Sequence, residues 1–212
     1  MQSLETEQVC LTLKPSSLIL DFLEPRTILS SAPFNGGLTR ARYVLNRTVG
    51  MEFCPVDVQE AVRQEIQAVN LPADQTVCCL TAVDVWKFGE GRAEEQGISA
   101  TAFVTAGLGN LSAPGLTPIS DHKPGTINSV VCIEANLPTA ALVEAVQIVT
   151  EVKARMLQGR QTREGHAGTG TSTDTVTIVM LGGRDEKYSG AVTPVGRAVA
   201  RAFEDAFREA IK

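Results

Sequence analysis

The stretch Gly168-Thr169-Gly170-Thr171-Ser172-Thr173-Asp174 concentrates the groups that chemistry needs, with small hydroxyl residues alternating with glycine just before an apolar run. Such a loop offers backbone N–H groups and several hydroxyls to an anion, an amide or a developing oxyanion, and Asp174 can orient a hydroxyl or take a proton. The same composition also suits a Gly-rich turn whose Ser and Thr bond their own backbone. Pro124-Gly125-Thr126-Ile127-Asn128 has a similar form, and Thr126 and Asn128, two apart, share one face of a strand. Further upstream, Pro33-Phe34-Asn35-Gly36-Gly37 must be irregular, since adjacent glycines permit positive φ and close backbone approach.

Glu151, Lys153 and Arg155 bring charge to a helical segment. Glu151 and Arg155 stand at the supportive i, i+4 spacing, whereas Glu151 and Lys153 point to different faces, so both cannot enter one pocket from a regular helix. Other catalytic signatures fail on particular residues. Gly107-Leu-Gly109 lacks the third glycine of a dinucleotide turn, which Ser112 replaces. Gly165 to Gly170 has the outer spacing of a P-loop, but Thr171 and Ser172 follow where Lys then Ser or Thr are required. No G-x-S-x-G elbow is present. The two histidines, His122 and His166, have no spacing that joins them, so no metal ligands are assigned and no catalytic metal is expected.

Three short runs open the chain: Val9 to Lys14, Ser17 to Leu23 and Thr27 to Ala32. They are separated by turn-like breaks around Pro15 and Pro25 and predict an antiparallel meander. Val58, Val62, Ile66 and Val69 predict a helix over Asp57 to Val69. Strands are expected at Thr76 to Ala82, Ile98 to Ala106, Thr126 to Ala135 and Thr173 to Leu181. One long helix follows Asn136-Leu137-Pro138-Thr139 and ends near Gly159, and a last one starts at Thr193-Pro194, where Thr caps and Pro fits the first turn. This order favours an α+β fold: a mixed, largely antiparallel sheet covered by about three helices, in a single domain over residues 1–212.

The 212 residues suit one domain, and 43% apolar residues can fill its core. Nineteen Lys and Arg against twenty-four Asp and Glu leave a net charge of -5, the wrong sign for neutralising phosphates, so no nucleic-acid partner is expected. Aromatic residues at 5% are too few for base-stacking platforms. No apolar run is long enough to cross a bilayer and the start is polar, so no membrane partner and a cytoplasmic location are expected. Five cysteines without a C-x-x-C pair read as buried free thiols. A homo-oligomer is compatible with all of this.

Taken in order, several segments resemble the adenosylcobinamide amidohydrolase family of corrinoid salvage: Ser30 to Ala41 with Asn46 beyond it, Leu80 to Val83, Thr105 to Asn110 and Pro124 to Val131. The series continues with Thr150 to Ala154, Gly168 to Asp174 and Tyr188 to Gly196. It runs from about residue 28 onward, while residues 1–25 carry little of it. Val152 departs from the usual alanine between Glu and Lys. The resemblance implies hydrolysis of the amide joining the aminopropanol arm to the corrin's propionate, giving adenosylcobyric acid and 1-amino-2-propanol. The corrinoid is then the small-molecule substrate, with no further cofactor.

Under that reading, amide hydrolysis needs an attacking group, oxyanion stabilisation and a proton for the leaving amine. Glu151 or Asp174 is the candidate base, Thr171 or Ser172 the nucleophile or oxyanion donor, and Lys153 an alternative electrostatic partner. Gly36, Gly37, Gly168 and Gly170, with Thr169 and Thr126, are expected near the substrate. Asn35, Asn46, Asn110 and Asn128 would match the corrin's neutral amide arms. The competing reading is a corrinoid-binding protein without turnover, and a weaker one is a hydrolase of some smaller amide.

Overall fold

The computed structural model of the chain describes residues 3–5, 8–119 and 125–212. Strands β1 (Ser3–Glu5), β2 (Cys10–Lys14), β3 (Ser17–Ser30) and β4 (Gly37–Thr48) precede helix α1 (Val58–Ala68). Then come β5 (Thr76–Thr81), β6 (Gly89–Glu95), β7 (Ile98–Ala106), the two-residue β8 (Leu111–Ser112) and β9 (Ile127–Asn136). Helix α2 (Thr139–Met156), the short β10 (Gly170–Thr171), β11 (Thr175–Asp185) and α3 (Pro194–Ala210) complete the chain.

The nine-stranded sheet runs β6-β7-β9-β11-β3, with β4 on the other side of β3 and β5 beyond it. Only β9/β11 and β4/β5 are parallel pairs; the others are antiparallel. Strand β3 changes partner along its length, pairing β2 through Ser17–Asp21 and β11 through Thr27–Ser30. The register shift between Asp21 and Arg26 is a bulge that lets one strand serve both neighbours. The turn expected at Glu24-Pro25-Arg26 is therefore a bulge inside one strand. Asp21 secures it by accepting from the Leu23 N–H at 2.8 Å and from Arg42 Nε at 2.7 Å.

Besides the two- and three-residue strands β1, β8 and β10, two longer strands were not legible in the sequence. In β4, Arg40, Arg42 and Arg47 mask an alternation that still buries Val44 and Asn46 on one face and Leu45 on the other. In β6 the inward positions are Gly89 and Gly91, where any Cβ would run into the α3 backbone at Ala206 and Ala202. Close helix approach, not apolar side chains, buries that strand.

The sheet folds so that two inner faces meet. Leu18, Leu20, Val44, Val77 and Cys79 pack against Phe103, Val130, Cys132 and Val179 in one cluster. The outer face of the β4–β5 half is covered by α1, with Val62 and Ile66 on Leu45 and Cys78. Helices α2 and α3 cover the outer face of β7, β9 and β11 through Leu142, Val149, Val199, Phe203 and Phe207. The α+β class with a mixed, mostly antiparallel sheet and three helices is as expected, whereas the folding of the sheet into four layers, helix, sheet, sheet, helix, was not foreseen. Among the described residues no helix is long and apolar enough to cross a membrane.

Candidate active site

A cleft of about 610 Å³ opens where the strand ends of the two inner faces meet. Ser31 and Pro33 after β3, Val49, Gly50, Met51, Phe53 and Cys54 after β4, and Leu80 to Ala82 at the end of β5 form one side. The other comprises Gly125 and Thr126 before β9 and Ser172 to Thr175 before β11. The first side is largely apolar, with Val49, Met51 and Phe53; the second presents hydroxyls and Asp174, the one charged side chain among the described lining residues.

Asp174 is held on every side. Its Oδ2 lies 2.5 Å from Lys153 Nζ and accepts the Thr171 N–H at 3.1 Å, while Oδ1 accepts the Ile127 N–H at 3.0 Å and the Thr171 hydroxyl. Lys153 reaches it from the inward face of α2, and both side chains are close to nine-tenths buried. A buried charge pair persists only where its remaining hydrogen-bonding capacity is met, and three further donors supply that to the carboxylate here. Gly170 makes the approach possible, since a Cβ there would stand 3.0 Å from Lys153 Nζ and closer still to Asp174 Oδ2. The glycine in the motif serves the ion pair.

Around this anchor the Thr171–Asp174 turn is laced to the strand before β9. Thr126 donates to the Thr173 carbonyl at 2.8 Å and Thr173 donates to the Gly125 carbonyl at 3.1 Å. The Ser172 hydroxyl accepts from Asn110 Nδ2 at 3.0 Å, which leaves its own proton available to the cleft.

Beneath the floor runs a buried polar network. Asn128 Nδ2 donates to Asn46 Oδ1 and to the Leu80 carbonyl, both at 2.8 Å, and its Oδ1 accepts the Thr175 hydroxyl at 2.8 Å. Asn46 Nδ2 in turn donates to Thr105 Oγ1 at 2.8 Å. These bonds join β4, β5, β7, β9 and β11 across the two inner faces. Fully satisfied networks of this kind fix a unique geometry.

Of the residues the sequence nominated, Thr126, Ser172 and Asp174 line the cleft, and Lys153, Gly170 and Thr171 stand directly behind Asp174. Asn46 and Asn128 lie under the floor with their amides spent on protein partners, so they hold the site and do not face a ligand. Asn110 lies beside Ser172. Gly168 packs on Leu111 and the Thr169 N–H bonds the Ser112 carbonyl, outside the cleft.

Asn35, Gly36 and Gly37 do not reach the cleft either. Asn35, at φ 51, donates to the Ala73 and Thr76 carbonyls and so ties its loop to β5, while Gly36 lies against the Ala32 carbonyl of its own chain. Glu151 is exposed on the solvent side of α2, apart from Lys153, as the helical geometry requires. Asp121, His122 and Pro124 lie outside the described residues. His166 sits in the loop before β10, and among the described residues no three His, Cys, Asp or Glu side chains are arranged to hold a metal ion.

Sequence reasoning missed Val49, Met51, Phe53 and Cys54, mostly apolar residues without strand or helix period in the segment from Val49 to Pro55. Its only signal was that such residues in a loop require a partner. Cys54 is exposed there, contrary to the expectation of buried thiols, whereas Cys78, Cys79 and Cys132 are buried and burial pushes their pKa values up.

The chain matches the family model described as adenosylcobinamide amidohydrolase over residues 2–212. It is 31% identical over 201 residues to a protein of Halobacterium salinarum named adenosylcobinamide amidohydrolase, covering 91% of this chain and 84% of that one. A Methanosarcina mazei protein of the same name is 29% identical over 182 residues, covering 81% and 84%. Among solved structures, a Burkholderia sp. β-aminopeptidase shares the fold with a TM-score of 0.52 at 14% identity, covering 98% of this chain and 81% of that chain.

Proposed function

The chain belongs to the adenosylcobinamide amidohydrolase family, and on that premise we propose which of its residues carry the reaction. The protein is an amide-bond hydrolase acting on adenosylcobinamide. The amide bond lies in the cleft, between the apolar side and the Ser172–Thr175 side. Asp174 is the proton carrier, and the observation behind this is that no other described lining residue ionises as an acid or base in the required sense except the thiol of Cys54.

At rest the carboxylate has four donors, three of them N–H groups fixed by backbone or by the ammonium. The Thr171 hydroxyl is the donor that rotates without moving the chain, and its rotation opens Oδ1 to a water in the cleft. That water attacks the carbonyl carbon as its proton passes to Asp174. The Ser172 hydroxyl donates to the oxyanion, and collapse breaks the C–N bond while Asp174 returns the proton to the leaving nitrogen. Lys153 keeps the Asp174 carboxyl group aimed through these steps. Products are adenosylcobyric acid and 1-amino-2-propanol. The exposed thiol of Cys54 suits a reducing compartment, the cytoplasm.

The experiment is incubation of Asp174→Asn with adenosylcobinamide, with chromatography for cobyric acid and absorbance for binding. Retained binding with turnover reduced by about 10³ or more supports the role; undiminished turnover rejects it.

A further inference from the structure

The hydroxyl groups around the cleft divide by where their protons go. Among the described lining residues, Ser31, Thr81, Thr126, Ser172, Thr173 and Thr175 carry one. Thr126, Thr173 and Thr175 donate theirs within the protein, to the Thr173 carbonyl, the Gly125 carbonyl and Asn128 Oδ1. Thr81 accepts the Val83 N–H at 3.0 Å and is only 2% exposed. The remaining pair, Ser172 and Ser31, are both exposed and both held as acceptors, Ser172 by Asn110 Nδ2 and Ser31 by the Val176 N–H, each at 3.0 Å. A hydroxyl held in that way keeps its own proton to give. The reaction assigned above uses Ser172 and leaves Ser31 without a task.

Ser31 is where β3 leaves the sheet. Its N–H donates to the Val176 carbonyl at 3.0 Å while its side chain receives the Val176 N–H, so the hydroxyl is fixed against β11 at the cleft. Strand β11 lies between β3 and β9, and the Asp174 carboxylate is held on the β9 side by the Ile127 N–H. Ser31 therefore stands on the opposite side of the β11 start, and its partner Val176 is two residues past Asp174, a strand advance of about 6.6 Å. It shares the largely apolar side with Met51 and Phe53 and is the one exposed hydroxyl among that side's described lining residues. A fixed polar group in an apolar lining orients a ligand. From this we infer that Ser31 binds the acyl half of the substrate, giving its proton to the carbonyl oxygen of a neutral amide arm next to the one that is cut. A carbonyl oxygen only accepts, and so pairs with a spare proton. Asn35, Asn46 and Asn128, expected to meet such arms, spend their side-chain amides on protein partners. This contact rests on the reaction assigned above and adds a reader of the macrocycle's periphery, apart from the bond that breaks.

Adenosylcobyric acid, the product that keeps the arms and lacks the amine, is the probe. Its affinity for the full-length protein is measured by equilibrium dialysis, with KM and kcat for adenosylcobinamide and thermal melting on the same preparations. Ser31→Ala is expected to weaken adenosylcobyric acid and raise KM by about fivefold, the range of one neutral hydrogen bond, while kcat stays within about twofold of the wild type. Ser31→Thr, which retains the hydroxyl, should restore both. If Ser31 only caps the Val176 N–H, Ser31→Ala lowers the melting temperature and leaves affinity and KM as they were, and that result overturns the inference. A fall in kcat at unaltered product affinity overturns it too, since it places Ser31 at the reacting atoms. A wild type that does not bind adenosylcobyric acid overturns the corrinoid reading and this contact together, whereas wild-type binding that Ser31→Ala leaves intact overturns the contact alone. An active Asp174→Asn enzyme would instead overturn the proton role and leave these binding results standing.

Discussion

Gly170 and Lys153 stand so close that a methyl group on the glycine would come within 3.0 Å of the ammonium nitrogen. The ion pair to Asp174 occupies the space that any larger residue needs, so backbone and charge pair are designed around each other. Gly170→Ala is expected to displace the pair, destabilise the fold by about 1–3 kcal/mol and lower kcat by about a hundredfold. Thermal unfolding and steady-state kinetics on the same preparation check it.

Lys153 and Asp174 should be strongly coupled. Removing either partner leaves a buried charge uncompensated, and Lys153→Met alone should cost about 3 kcal/mol or more. The Lys153→Met/Asp174→Asn double variant should recover part of that loss while remaining inactive, a separation of stability from catalysis readable from a denaturation cycle. Glu151→Gln should leave turnover at the wild-type level, in keeping with its exposed position.

Asn128 serves structure from beneath the cleft. Its truncation to Ala strands the Asn46 amide oxygen, the Leu80 carbonyl and the Thr175 hydroxyl in a buried layer. The expected cost is about 2–4 kcal/mol, measured as a fall in the urea midpoint. A loss of corrinoid affinity at unchanged stability would contradict the assignment.

Asp21 links stability to acid pH. Its hydrogen bond from Arg42 lowers the carboxyl pKa below the ordinary 3.8, with the Leu23 N–H adding to the effect and partial burial opposing it. A lowered folded-state pKa gives stability that is complete above the unfolded value and lost as pH falls through the folded one. The urea midpoint should therefore drop below about pH 4, and Asp21→Asn should flatten part of that drop. Because the bulge in β3 depends on Asp21, the variant should also be weaker at neutral pH.

Cys54 is the exposed thiol at the cleft wall, while Cys78, Cys79 and Cys132 are buried with raised pKa values. Iodoacetamide should modify Cys54 ahead of these three and slow hydrolysis by filling the cleft, with adenosylcobinamide protecting. Peptide mapping locates the adduct, and Cys54→Ser should remove the sensitivity.

Local pattern was enough for several elements. The 3.6-residue period of Val58, Val62 and Ile66, the Thr193-Pro194 start of α3 and the β-branched runs of β5, β7, β9 and β11 all depend on neighbours in sequence. The ordered segments shared with a known family were equally visible, and with them the reaction. The roles within the site were not, because a side chain's role depends on what the fold sets opposite it. Asn128 and Thr126, two residues apart on β9's approach, look alike in sequence. Yet Thr126 faces the cleft, and Asn128 meets Asn46 across two layers. Lys153 and Asp174, 21 positions apart, become a charge pair only because α2 lies over the start of β11, and the loop carrying Met51 becomes a cleft wall only because the sheet folds back on itself. Sequence specified which groups were present; long-range packing decided which were paired, which were spent inside the protein, and which were left to meet a ligand.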